Sequence, residues 1–394
     1  MKKKFVCLAM AMVMVLSLAA CGGKKEEAPA AAPAESGSDS SVSVFKVGTI
    51  GPLSGDAAIY GQAVANGAKI AVDEINAAGG AIQFELQSQD DEADGEKSVN
   101  AYNTLMDWGM QVMVGPTTTG ASIAVSAQAN ADRTFMLTPS ASSVDVIDGK
   151  DNVFQVCFTD PNQGVASADY ISANMAGAKV AVIYRNDDAY SQGIRDTFVS
   201  EAADKGLEVV YEGTFTADTA TDFSVQLTGA QSAGADTVFL PIYYQPASVI
   251  LNQANAMGYE PTFFGVDGMD GILTMEGFDT SLAEGVMLLT PFSADAEDAR
   301  TQTFVKAYQD QFGETPNQFA ADAYDAVYIY AAALEAAGCT ADMSSADICE
   351  ALVGVMTTIS VDGLTGQGMT WDASGAVSKA PMAVIIENGT YVLP

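Results

Sequence analysis

VMVGPTTTGASIAVSAQANADRTFMLTPSASS, residues 112 to 143, holds two hydroxyl-rich turns, each set directly behind a short apolar run. Val112 to Val114 reads as a buried strand. Gly115 and Pro116 stop it, and Thr117, Thr118, Thr119 and Gly120 lead into a helix-like stretch from Ala121 to Asn130. Phe135 to Leu137 repeats the strand pattern, followed by Thr138-Pro139-Ser140-Ala141-Ser142-Ser143. In an open parallel sheet both turns stand at strand carboxyl ends, the edge where such sheets bind ligands. Hydroxyls beside the free N–H groups of a helix start hold a carboxylate without any cationic side chain. The plainer reading makes the same residues helix caps and turn formers.

Outward from this stretch, strand and helix alternate. Residues 44–50 (VFKVGTI) read as a strand, Gly51-Pro52-Leu53-Ser54-Gly55 as a turn, and 61–78 as an amphipathic helix ended by Gly79-Gly80, with a strand at 82–87 and a helix at 97–108. A second series of the same kind runs from Lys179 to Phe264. Units of roughly 25 to 30 residues are those of right-handed βαβ crossovers, and two such series predict an α/β fold of two lobes. After Thr290-Pro291 the pattern becomes helical, at 296–311, 318–337 and 345–356, before short strands near 369–371 and 382–386. Helices without intervening strands build no third sheet, so they are expected to pack on an existing lobe. Tyr324, Tyr328 and Tyr330 on the alanine-rich helix read as packing residues, as does at least one of Tyr243 and Tyr244, and Asp187-Asp188 as a solvated loop pair.

Composition removes several classes of function. The 394 residues are 48% hydrophobic, enough for two large cores and too polar for a multi-span membrane protein. Seventeen basic against 50 acidic residues give a net charge of −33, which repels nucleic acid. With no histidine, every Ser-His-Asp, Cys-His and histidine-ligated metal arrangement is excluded. Cys157, Cys339 and Cys349 in the folded body are too few for a cysteine zinc site, so neither metal nor cofactor is expected; Cys339 and Cys349 are open to one disulfide or two free thiols.

Lys2, Lys3 and Lys4 precede an apolar run from Phe5 to Ala20 that is shorter than the roughly 20 residues of a membrane span, so residues 1–20 read as an export signal. Leu18-Ala19-Ala20-Cys21-Gly22 resembles the lipobox of bacterial lipoproteins, which implies a lipidated Cys21 and a membrane tether. Residues 21–43, rich in Lys, Glu, Ala, Pro, Ser and Gly, read as a flexible linker.

Eight landmarks then stand in order: GPLSGDAAIYG (51–61), GAKIAVDEINAAGG (67–80), VGPTTTGA (114–121), TPSASS (138–143), DAYSQG (188–193), PIYYQPAS (241–248), FFGVDG (263–268) and FAADAYDAVYIYAAAL (319–334). In order and spacing they resemble the type I periplasmic binding proteins for branched-chain amino acids, the substrate-capturing parts of ABC importers. The resemblance implies two Rossmann-like lobes with parallel central sheets joined by a three-strand hinge. Lobe 1 would take 44–160 plus 291–379 and lobe 2 would take 161–290 plus 380–394. It also implies a site. The ligand's α-carboxylate would be held by hydroxyl and N–H groups at Thr119 and Ser142. Its ammonium would be held by the Ser140 carbonyl, the Ser142 hydroxyl and Asp267. Tyr60, Tyr190, Tyr243 and Phe319 would surround its side chain. Many relatives carry Glu where Asp267 stands, and often Arg where Gln155 stands.

The chain is then expected to be a monomeric, exported, lipid-anchored binding protein on the outer face of the membrane that passes leucine, isoleucine, valine or a relative to a permease. The competing expectation keeps the fold but makes the chain a receptor for another small amide, amine or urea-like ligand. An enzyme would need a second acid facing Asp267, and none of the matched positions supplies one.

Overall fold

The computed structural model describes residues 42–394, so the expected export signal at 1–20, Cys21 and nearly all of the expected linker at 21–43 lie outside the described residues. The first half runs β1 (Ser43–Gly51), α1 (Ala58–Ala78), β2 (Ile82–Asp90), α2 (Gly95–Trp108), β3 (Val112–Val114), α3 (Thr119–Asp132), β4 (Phe135–Thr138), β5 (Val153–Gln155) and α4 (Asp160–Asn174). The second half continues with β6 (Lys179–Arg185), α5 (Ala189–Lys205), β7 (Glu208–Phe215), α6 (Ser224–Ser232), β8 (Thr237–Leu240), α7 (Tyr244–Met257), β9 (Thr262–Gly265) and β10 (Met287–Thr290). It closes with α8 (Ala299–Phe312), α9 (Gln318–Ala337), α10 (Ser345–Met356), β11 (Met382–Glu387) and β12 (Thr390–Val392).

Two sheets form two lobes. The first has order β2-β1-β3-β4-β5 and is parallel throughout. The second has order β12-β11-β10-β9-β8-β6-β7; β6 to β10 are parallel, while β11 and β12 extend one edge antiparallel. Helices cover both faces of a parallel sheet, so its inner strands need no polar alternation. Accordingly VMV in β3, FMLT in β4, TVFL in β8 and MLLT in β10 are buried at every position. In each sheet the strand order reverses beside the first strand, between β1 and β3 and between β6 and β8, and the strand ends there open a crevice. The chain passes from the first sheet to the second after β5, leaves it after β10 and returns at β11.

The late helices add no sheet. α9 packs along α1, and α10 against β4 and α9. Tyr330 donates to the carbonyls of Met113 and Phe135, and Tyr324 and Tyr328 both donate to Glu74, so all three phenols serve packing as the sequence suggested. Cys157, Cys339 and Cys349 are buried free thiols, so Cys339 and Cys349 form no disulfide.

Where α1 meets α9 the backbones come close enough that a Cβ on Gly67 would lie 2.0 Å from the Ala320 carbonyl oxygen. Both partners there are helix backbone and cannot give way. Gly67→Ala is therefore expected to destabilise the protein by about 1–3 kcal/mol, seen as a lower urea midpoint with unchanged m-value.

Candidate functional site

The two hydroxyl turns at the ends of β3 and β4 are braced against each other. The Thr138 hydroxyl donates to the Pro116 carbonyl and accepts from the Ala141 N–H, and the Ser122 hydroxyl donates to the same Pro116 oxygen. Gln155 donates its amide to the carbonyls of Ala141 and Ser143, fixing the second turn from behind. At this position the chain holds a loop with a neutral amide, and no ion pair is formed.

A capping role for the first turn fails on one point. Thr118 is the residue before α3, yet its hydroxyl makes no bond to that helix. The Thr118 and Thr119 hydroxyl oxygens are both buried and have no hydrogen-bond partner, unlike Thr117, which donates to the Ile50 carbonyl. Leaving buried polar groups unpaired costs free energy, so two side by side mark a place built for a ligand.

Opposite them, at the end of β9, Asp267 begins a short turn from Asp267 to Met269 and is almost wholly buried. The Tyr190 phenol donates to its Oδ1 at 2.6 Å, and the Asp267 N–H donates to Gln163 Oε1 at 3.1 Å. Burial raises its carboxyl from the ordinary 3.8 to about 6, against the lowering effect of the bond from the Tyr190 phenol. Tyr60, from α1 in the first lobe, reaches across to donate to the Gly268 carbonyl and accepts from the Tyr244 N–H. Its ring meets Phe319 at 4.6 Å and Tyr243 at 5.2 Å between centroids, and Tyr243 meets Tyr190 at 5.1 Å.

Seven of the eight expected ligand residues therefore line one cleft: Tyr60, Thr119, Ser140 and Phe319 from one side, Tyr190, Tyr243 and Asp267 from the other. Thr117, Thr118 and Gly268 line it too; the two threonines belong to the first hydroxyl turn of the sequence but not to the residues that the family resemblance assigns. Ser142 stands apart, fully buried behind the wall, its hydroxyl 3.5 Å from the Gln163 amide. Gln163 thus bridges Ser142, 21 residues before it, and Asp267, 104 residues after it, and no local signal marks it. Asp160 is a second residue without a sequence signal. It is buried beside Ser142 and α5, and burial pushes its carboxyl well up against the lowering effect of the Ser142 hydroxyl.

The cleft as it stands encloses about 10 Å³, room for a single water, because the aromatic rings fill it. A guest the size of an amino acid does not fit between the rings as they stand, with Tyr60 bridging to Gly268. Tyr60→Phe, which leaves the Gly268 carbonyl and Tyr244 N–H short of a partner, is expected to weaken this lobe contact by about 1–3 kcal/mol, read as a larger radius of gyration in small-angle scattering. At the mouth lies a larger hollow of about 360 Å³ between Asp56 and Glu92 on one lobe and Arg185, Asp188 and Tyr243 on the other. Only half of the Asp187-Asp188 pair is a solvated loop group: Asp187 is exposed and bonds Arg185 at 2.7 Å, whereas Asp188 is half-buried in this mouth, with its carboxyl raised by burial.

A sequence profile of periplasmic binding proteins matches residues 44–390. The Leu/Ile/Val-binding protein homolog 3 of Brucella melitensis is 32% identical over 318 residues, 78% of this chain and 82% of that protein. Among solved structures, the branched-chain amino acid transporter substrate binding protein LivJ of Streptococcus pneumoniae, in complex with isoleucine, superposes with a TM-score of 0.78 at 31% identity, covering 89% of this chain and 100% of that one. The leucine binding protein LivK of Thermotoga maritima gives a TM-score of 0.79 at 26% identity, with 89% and 97% covered.

Proposed function

The chain belongs to the periplasmic binding protein family, and from that premise we propose that it captures a branched-chain or similar aliphatic amino acid between its lobes and delivers it to the membrane permease of an ABC transporter. The observation that carries this reading is the polarity of the cleft. One acid, Asp267, lines one side, and the unpartnered hydroxyls of Thr118 and Thr119 line the other, with aromatic rings between.

A zwitterion fits that arrangement. Each of its charges loses hydration on entry and needs a full set of partners. The threonine hydroxyls, with the N–H groups at the start of α3, take the carboxylate. Asp267 and the Ser140 carbonyl take the ammonium, and Tyr60, Tyr190, Tyr243 and Phe319 enclose an aliphatic side chain. Ser142, set behind the wall, acts through Gln163, which holds the Asp267 turn. The relatives' names, Leu/Ile/Val-binding and leucine binding, support the same class of ligand.

Mechanistically, the guest replaces contacts that Tyr60 makes alone. By touching both lobes it stabilises the closed form through its differential contacts, the hinge closure typical of periplasmic binding proteins. The closed form is what a permease reads. We further assign residues 44–160 and 291–379 to one lobe and 161–290 and 380–394 to the other, with a lipid on Cys21 holding a monomer at the outer membrane face.

Calorimetric titration of residues 43–394 with each common amino acid is the test. Heat with leucine, isoleucine or valine and none with lysine or glutamate is the expected result. No heat with any α-amino acid would sink the reading in favour of a receptor for another ligand.

A further inference from the structure

A second cavity, of about 280 Å³, lies on the hinge side of the molecule. Asp270 and Leu273 from the loop after β9, Phe292 from the segment leaving β10, Pro316 from the approach to α9 and Tyr391 of β12 line it, with Asp295 exposed at the rim. Asp270 is 3% exposed. Its Oδ2 accepts from the Gln318 N–H at 2.9 Å, but its Oδ1 is buried without a partner. The Tyr391 phenol stands beside this carboxyl and pairs with it only loosely, and neither that phenol oxygen nor Asp270 Oδ1 meets any other polar partner. No lysine or arginine lines the cavity.

We propose that this hinge-side cavity is a second binding site, for the protonated amino group of a small aliphatic amine. A buried carboxylate with no cation beside it is costly, and a guest ammonium supplies both the charge and the missing donors. One N–H meets Asp270 Oδ1 and a second meets the Tyr391 oxygen, while Leu273, Phe292 and Pro316 receive a short alkyl chain. A carboxylate on the guest would find hydroxyl groups such as those of Ser293 and Thr315 but no cation, and Asp270 would repel it. At the start of α9 the Gln318 N–H is taken by Asp270 and the Ala320 N–H by the Asn317 side chain, and with no cation in the lining a monoamine is favoured over an amino acid.

The site is wired to the cleft. Gln318, whose N–H binds Asp270, donates its side-chain amide to the Asp267 carbonyl at 3.2 Å, and the next residue, Phe319, lines the cleft itself. A guest here touches elements carried by both sheets and so favours the lobe arrangement in which they meet.

Titrating the isotopically labelled protein with n-butylammonium chloride, following the amide signals of Gly271, Thr274 and Gly389 by two-dimensional NMR, tests this. Saturable shifts at those amides are expected, with affinity about tenfold or more lower in Asp270→Asn and about threefold lower in Tyr391→Phe. Asn keeps the oxygen that accepts from Gln318 while removing the charge. Should that variant fail to fold, the Tyr391→Phe comparison and the location of the wild-type shifts decide. The proposal is overturned by the absence of saturable shifts there, by undiminished affinity in a folded Asp270→Asn, by sodium chloride at matched ionic strength reproducing the shifts, or by norleucine binding at these amides more tightly than butylammonium.

Discussion

Asp267→Asn is expected to weaken binding of a branched-chain amino acid by about 10²- to 10³-fold, while Asp267→Glu keeps most of the affinity. The variant preserves the side chain's shape and leaves an oxygen for Tyr190 to donate to at the position of Oδ1. What it removes is the single negative charge lining the cleft. A buried ammonium then faces only dipoles, and breaking one partner of a buried charge pair costs about 3–5 kcal/mol. Calorimetry on wild type and both variants measures it. An Asn variant within threefold of wild type would mean that the ammonium sits elsewhere.

The same carboxyl sets a pH dependence whose sign differs between the free and bound forms. Burial holds free Asp267 at about 6, above its ordinary 3.8. The free folded protein therefore binds more protons than the unfolded chain between those values, and this group's burial penalty is relieved as pH falls through that window. Ligand binding runs the other way, because the ammonium requires the ionised acid. Affinity should be level above pH 7 and fall about tenfold per unit below pH 6.

Much of this site was legible because its parts are local. The turn after β3 and the turn after β4 each follow a run of buried apolar residues, and a strand end in a parallel sheet fixes where the next few residues stand. Tyr60, Tyr190, Tyr243, Asp267 and Phe319 came from landmark stretches whose order survives without any knowledge of distance. Residues chosen by tertiary contact were not legible. Gln163 lies on a helix face that looks like any other polar position, and only the fold brings its amide between Ser142 and Asp267. Thr118 and Ser142 show the limit at finer grain. Both are hydroxyls in hydroxyl-rich turns, and the backbone's rotation within the turn decides which faces the cleft. The antiparallel edge formed by β11 and β12 was equally hidden, since strand direction depends on where the last crossover lands.

Lys379→Met is expected to destabilise the protein more than any substitution named above, by about 3–5 kcal/mol at neutral pH in urea unfolding. Lys379 Nζ donates to Asp322 Oδ1 at 2.6 Å, and both side chains are 2% exposed. It also donates to the Thr365 hydroxyl, which in turn donates to Asp325 Oδ2. Two buried acids on α9 thus share one lysine carried by the segment that leads into β11. Methionine keeps the stem and removes the charge, leaving Asp322 with no cation.

The pH course separates charge loss from lost packing. Burial already raises Asp322 to about 6 with Lys379 present, and without the lysine it rises further. Between that higher value and pH 6 the variant must either take up a proton or carry a bare buried charge, so its deficit shrinks by about 1.4 kcal/mol per unit as pH falls. Well below pH 6 Asp322 is protonated in both proteins and ceases to contribute to the pH course, so the difference levels off. Pairing the change with Asp322→Asn should recover much of the neutral-pH loss, because a neutral pair replaces a broken ionic one. A deficit independent of pH and unchanged by the second substitution would show that the lysine acts only as a packing stem.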